Sequence, residues 1–212
     1  METDDLIAQL SENLAPARPH AVMRQLGAGL LLGLVAAAIL LQATLHFRHN
    51  LAAVLMVPGF WMKLSYTVAL AALGLWIVER QSRAAADASK PFWLLGAPLV
   101  ALAGLAAWQL SGPGADTRYL MMGQTAKVCS TFILILSLPI FAGIFWAVRQ
   151  LAPTRLTLAG ASAGLLSGAT SAALYCFHCP ETAAPFILIW YTLGILLTTA
   201  LGALLGRWIL RW

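Results

Sequence analysis

Residues 26–45 read LGAGLLLGLVAAAILLQATL, an unbroken apolar run without one charged side chain. At a rise of about 1.5 Å per residue, a helix of this length spans about 30 Å, the thickness of a bilayer's hydrocarbon core. Nothing in the run alternates with the period of a half-buried strand, and no polar stripe would face water if it were a surface helix. Lipid is the solvent that suits it. Moving outward along the chain, comparable runs recur at 60–78, 92–110, 128–148, 156–175 and 183–206, each bounded by charged or turn-forming residues.

Composition agrees with this reading. Of 212 residues 60% are hydrophobic and 10% charged, against roughly a quarter charged in an ordinary soluble domain, and the mean hydropathy is +0.81. Backbone polar groups left unpaired in hydrocarbon are too costly to tolerate, so the runs are expected to be helices. The expected fold is an all-α integral membrane protein, a bundle of about six transmembrane helices, with Pro98, Pro139 and Pro185 as kinks or first-turn residues. Residues 1–17 carry Glu2, Asp4, Asp5 and Glu12 and no Lys or Arg, so the first run reads as a retained anchor and not as a cleaved signal peptide.

The net charge of +5 points to topology, not to nucleic acid. Nine of the thirteen basic residues, Arg18, Arg24, Arg80, Arg83, Lys90, Arg149, Arg155, Arg207 and Arg211, flank the runs on the side that holds the N-terminus. The other side holds Arg48, Lys63, Arg118 and Lys127. By the positive-inside rule both termini are cytoplasmic. No nucleic-acid partner is expected. Short connections suggest three antiparallel hairpins of neighbouring spans, and small residues spaced by four (Gly160, Gly164 and Gly168; Gly202 and Gly206; Gly29 and Gly33) read as helix-packing faces.

Ionisable groups deep in the spans would mark a transporter, and the runs hold almost none. Lys63 stands alone, about a turn from the outer end of the second run, and is expected to snorkel to the interface. Two features remain that lipid packing does not demand. The first is residues 1–20, a cytoplasmic segment in which Thr3 can cap a short helix with Asp4 and Asp5 in its first turn and Leu6, Ile7, Leu10 and Leu14 along one face. Anionic lipid repels such an acidic helix, which suits a protein groove or the cytoplasmic face of the chain's own 21–212 transmembrane domain.

The second feature is the cysteine set, Cys129 with Cys176-Phe177-His178-Cys179-Pro180-Glu181, all on the outer side of the expected topology. Pro180 after Cys179 excludes a c-type haem attachment sequence. A thiol redox pair and a soft-metal site, with Cys129, Cys176, His178 and Cys179 as candidate ligands, both stay open. No other cofactor is called for, no catalytic residue is assigned, and an enzyme is not expected.

The TDDLIAQL segment (3–10) leading to L-x-P at 14–16, six spans, a Cys opening the fourth span and the C-x-H-C-P-E loop together resemble the NrsF family of membrane-bound anti-sigma factors. The resemblance implies a protein of the bacterial inner membrane whose N-terminal segment sequesters an extracytoplasmic-function sigma factor. It further implies release on a thiol-reactive stress sensed by outer-side cysteines, Cys129 with Cys179, with Cys176 an addition to that pair. A thiol-based carrier or sequestering protein for a soft metal is the alternative, and it leaves the acidic helix without a task.

Overall fold

The computed structural model of the chain describes residues 20–82 and 89–211. The expected docking helix, with Asp4, Asp5, Leu6, Ile7, Leu10 and Leu14, lies outside the described residues. Among those described there is no strand. The helices are α1 (Ala21–Thr44), α2 (Leu51–Leu55), α3 (Pro58–Gln81), α4 (Ser89–Leu94), α5 (Gly96–Leu110), α6 (Thr117–Met122), α7 (Ala126–Arg149), α8 (Leu156–Tyr175) and α9 (Ala184–Ile209).

Their ends follow from local chemistry. Pro58 and Pro185 sit in the first turns of α3 and α9, where a missing N–H costs nothing because no carbonyl precedes it in the helix. Asp116 caps α6 by accepting from the Tyr119 N–H at 3.1 Å. Arg80, Arg149 and Arg207 occupy the last turns of α3, α7 and α9, facing the negative ends of the helix dipoles. Pro98 falls in the first turn of α5, just past the break at Leu95, and Pro139 lies inside α7.

Among the described residues five helices are long and apolar enough to cross a membrane: Ala21–Thr44, Pro58–Gln81, Phe92–Leu110, Thr117–Arg149 and Ala184–Ile209. Their outward faces carry Leu31, Leu32, Val35, Ile39, Val100, Leu196 and Leu204, all exposed in mid-helix. Burial of apolar surface away from water is worth roughly 25 cal/mol per Å², so a belt of this kind is stable only against lipid. Exposed tryptophans bracket it, Trp61 and Trp108 towards one end and Trp76, Trp93, Trp146 and Trp208 towards the other, as amphipathic rings do at the two interfaces. These features mark a membrane protein.

The sixth expected span, α8, matches its sequence boundaries yet falls short of the five in apolarity, because Gly, Ser and Thr dilute it. Its position explains the composition. It lies at the centre, packed on α9, α3 and α7, and buries Gly160, Gly164 and Gly168 together with Ser162, Ser167 and Ser171.

The expectation of three neighbouring hairpins needs correction. Of the three expected hairpins, only α8 with α9 is closely packed among the described residues; α7 packs on its neighbour α8 as well, α1 packs on α7, and α3 packs on α8. Inserted helices can pair laterally wherever faces fit, and here glycine sets the fit. Gly29 meets Gly143 backbone to backbone, and Gly33 meets Pro139 and Ile140 of α7. Gly160 abuts Gly202 and Gly206, Gly164 abuts Thr198 and Thr199, and Gly168 abuts Ile195. A methyl group at Gly29, Gly33, Gly160 or Gly164 would run into main-chain atoms, so the neighbouring helix would have to move, whereas at Gly168 it would only press on Ile195 and Thr198. The stripes therefore act as packing faces.

This contact yields a test. Gly160→Leu should destabilise the bundle by at least the 1–3 kcal/mol or so of ordinary overpacking, since backbone cannot rotate away as a side chain can. The check is thermal unfolding of detergent-purified protein, with Gly27→Leu, whose Cβ would meet nothing, as the silent control.

Candidate functional site

The alternation of helices brings three connections to one end of the bundle: residues 45–57 after α1, 111–125 after α5, and 176–183 after α8. The last of these carries the Cys-x-x-Cys. After α8 the chain continues as a tightening turn, in which His178 and Cys179 N–H both donate to the Tyr175 carbonyl at 3.0 Å. Pro180 has no N–H and ends the pattern. The carbonyls that follow therefore lack helical donors.

Lys63 supplies one. Its Nζ donates to the Cys179 carbonyl at 2.7 Å and to the Glu181 carbonyl at 3.1 Å, and the side chain is 1% exposed. The expectation that Lys63 snorkels to the interface is overturned. The 176–183 loop folds back over the first turns of α3, so acceptors inside the protein are nearer than the interface. Glu181 does not pair with the ammonium: its Oε1 accepts from the Gln124 N–H at 2.7 Å, beside Gly123. Gly123 has φ +47°, and a Cβ there would strike the Glu181 carboxylate, so this grip needs glycine.

Around Lys63 lie the three thiols, all free and all buried. Cys129, in the first turn of α7, lies beside Cys179, whose sulfur is also 3.9 Å from the Thr125 hydroxyl. Cys176 instead donates to the Ala172 carbonyl at 3.2 Å and lies 4.0 Å from the Thr67 hydroxyl. Both loop thiols feel the site, in opposite directions. The neighbouring Cys129 thiol draws Cys179 below the ordinary cysteine range, with the Lys63 ammonium acting in the same sense. Burial pushes Cys176 up to about 11. Of the two loop thiols, Cys179 is thus the more readily ionised.

The walls are aromatic. Tyr175 and Tyr191 have ring centroids 5.9 Å apart, and Phe60 meets Phe177 edge-on at 5.5 Å. Tyr191 closes a π-helical turn, Ile187–Tyr191, which interrupts α9 beside the thiols, and its buried hydroxyl has no well-formed hydrogen-bond partner. Within the same turn the Trp190 carbonyl accepts from Ser130 of α7 at 2.7 Å. Turns of this kind concentrate at functional positions.

His178 stands apart from the thiols' hydrogen bonding, its Nδ1 2.9 Å from the His46 carbonyl of the 45–57 connection. Among the described residues no group of three or more His, Cys, Asp and Glu is arranged to hold a metal ion. Sequence reasoning noticed all three cysteines and Lys63 separately. It missed that Lys63 belongs to their site, and it missed Tyr191 and the Gly123–Glu181 grip, which have no motif.

Fold and site define the class: a helical membrane protein with a buried thiol cluster at one end of its bundle. The family model for the negative regulator of sigma F, NrsF, matches residues 10–212, and the chain belongs to that family. It is 39% identical to the "Probable anti-sigma-F factor NrsF" of Azospira oryzae and 38% identical to the "Anti-sigma-F factor NrsF" of Caulobacter vibrioides, in each case over 100% of both chains. No solved structure matches. The family is regulatory, not catalytic.

The Lys63 contacts carry a prediction. Lys63→Met keeps the length of the side chain but leaves the Cys179 and Glu181 carbonyls without their donor, at about 1–3 kcal/mol for each group left unsatisfied. Its unfolding temperature should fall, and protease cleavage within 176–183 should quicken; unchanged values for both would show that the ammonium is not what holds the loop.

Proposed function

We propose that the protein is a membrane-bound anti-sigma factor that crosses the bacterial inner membrane six times, with both termini in the cytoplasm. Through residues 1–20 it holds an extracytoplasmic-function sigma factor, and it lets go when its outer-side thiols are modified. The observation that carries this reading is the full-length kinship to anti-sigma-F factors in a chain whose thiols are gathered into one site.

Physical arguments support the finer points. α8 has the length of a crossing, and a sixth span returns the C-terminus to the side of the N-terminus. Arg24, Arg80, Arg149, Arg155, Arg207 and Arg211 lie towards the end opposite the thiols, as the positive-inside rule asks of the cytoplasmic end. The thiols then face the oxidising compartment. Cys179, drawn towards its thiolate beside Cys129 and Lys63, is the natural point of attack for an oxidant or a soft metal ion, and Cys176 is the accessory thiol. A carrier or store for a soft metal would use the same thiols but would leave the acidic N-terminal segment idle.

Two experiments test the two ends. For the docking segment, Leu6 and Leu10 would each contribute on the order of 1.5–3 kcal/mol if buried against the sigma factor. Leu6→Asp with Leu10→Asp should therefore abolish co-purification of the sigma factor at an unchanged membrane level, giving constitutive expression of its target genes; repression that persists would move the docking surface elsewhere.

For the thiols, Ser keeps the size of Cys but not its reactivity. Cys129→Ser with Cys179→Ser should still insert and bind the sigma factor, yet fail to release it under oxidant or soft-metal stress. Cys176→Ser alone should release normally. A double variant that responds like the parent would sink the sensing role.

A further inference from the structure

The thiol end contains a cavity of about 240 Å³ between the 45–57 connection, the start of α3 and the 176–183 loop. Arg48 and Lys63 both line it, together with Asn50 and Thr182, and no carboxylate does. Among the described residues no carboxylate pairs with either cation: Lys63 bonds to two carbonyls, and Glu181 is turned to Gln124. The Arg48 guanidinium lies close enough to Lys63 to repel it.

Two like charges brought to one small cavity, one of them almost wholly buried, are costly without a counter-charge. The ammonium has three N–H donors and spends two on carbonyls. Its third, the Arg48 fork, and the Asn50 and Thr182 side chains make a donor-rich lining for oxygen atoms. We propose that this cavity is an anion site that takes a tetrahedral oxyanion between Arg48 and Lys63. The phosphate of a lipid headgroup and a free inorganic oxyanion share that chemistry, and the cavity lies at the end of the bundle, where either can reach it.

The site bears on the thiols. An oxyanion on Lys63 competes with the Cys179 and Glu181 carbonyls for the ammonium that holds their loop, so occupancy of the cavity and the setting of the Cys-x-x-Cys are linked. This inference does not depend on a sigma factor, and its test uses none.

The test is thermal unfolding of the full chain, monitored by tryptophan fluorescence, at constant ionic strength with sulfate exchanged for chloride. In lipid-free detergent, sulfate should raise the unfolding temperature in a saturable manner. Arg48→Gln, which alters a half-exposed side chain outside the helices, should weaken that response about tenfold, the scale of one lost charge-assisted hydrogen bond. Lys63→Met is the second variant and should lose the response entirely if it folds. Repeating the titration in nanodiscs separates the sources. A sulfate response that survives in phosphatidylglycerol discs identifies a free oxyanion. One that persists in phosphatidylcholine discs but is suppressed by phosphatidylglycerol identifies an anionic lipid phosphate. Equal responses of parent and Arg48→Gln, or no difference between sulfate and chloride in any medium, would overturn the proposal.

Discussion

Helices already in lipid gain little by burying one apolar face against another, because the tails they leave are as apolar as the partner they meet. What holds this bundle is close approach of main chain to main chain, possible only where side chains are absent. Gly160 against Gly202 and Gly29 against Gly143 are the contacts on which the arrangement depends. They seat α8 at the centre, close the α8–α9 hairpin and pull α1 across to α7 instead of its sequence neighbour α3. Every other feature of the molecule inherits its position from those seams.

The thiol end is one consequence. With α8 central and α3 packed along it, the end of α8 emerges over the start of α3, and the loop after Cys176 meets Lys63. A buried ammonium needs acceptors in place of water, and the Cys179 and Glu181 carbonyls of the loop provide them. Cys129 arrives from α7 and Tyr191 from α9, so four helices converge on a single cluster. Each of those helices runs from the cluster towards the other end of the bundle.

Much of this was legible in the sequence. Helical class, the positions of the apolar runs and the glycine stripes all follow from local rules: hydrocarbon thickness, backbone satisfaction and spacing by four. The boundaries of α8 agree with the 156–175 run, and the others agree to within a few residues. The cysteines were visible because their chemistry is rare and their spacing short. Lys63 was visible too, but a lysine near a span end is ambiguous. Snorkelling and burial differ only in which acceptors are close, and those acceptors belong to residues 179 and 181, more than a hundred positions away.

The sequence by itself determined that the chain is helical, that lipid is its solvent, and which residues could carry thiol chemistry. It did so because a helix in hydrocarbon must satisfy its own backbone and cover itself in apolar side chains, both of which are local properties. Only the tertiary structure decided that α1 pairs with α7, that Cys129 meets Cys179 while Cys176 turns to its own helix, and that Lys63 sits among them facing Arg48 across a cavity. Those are choices between distant faces, settled by where two backbones can touch and where a loop without helical donors can find one. No stretch of chain a few turns long contains that information.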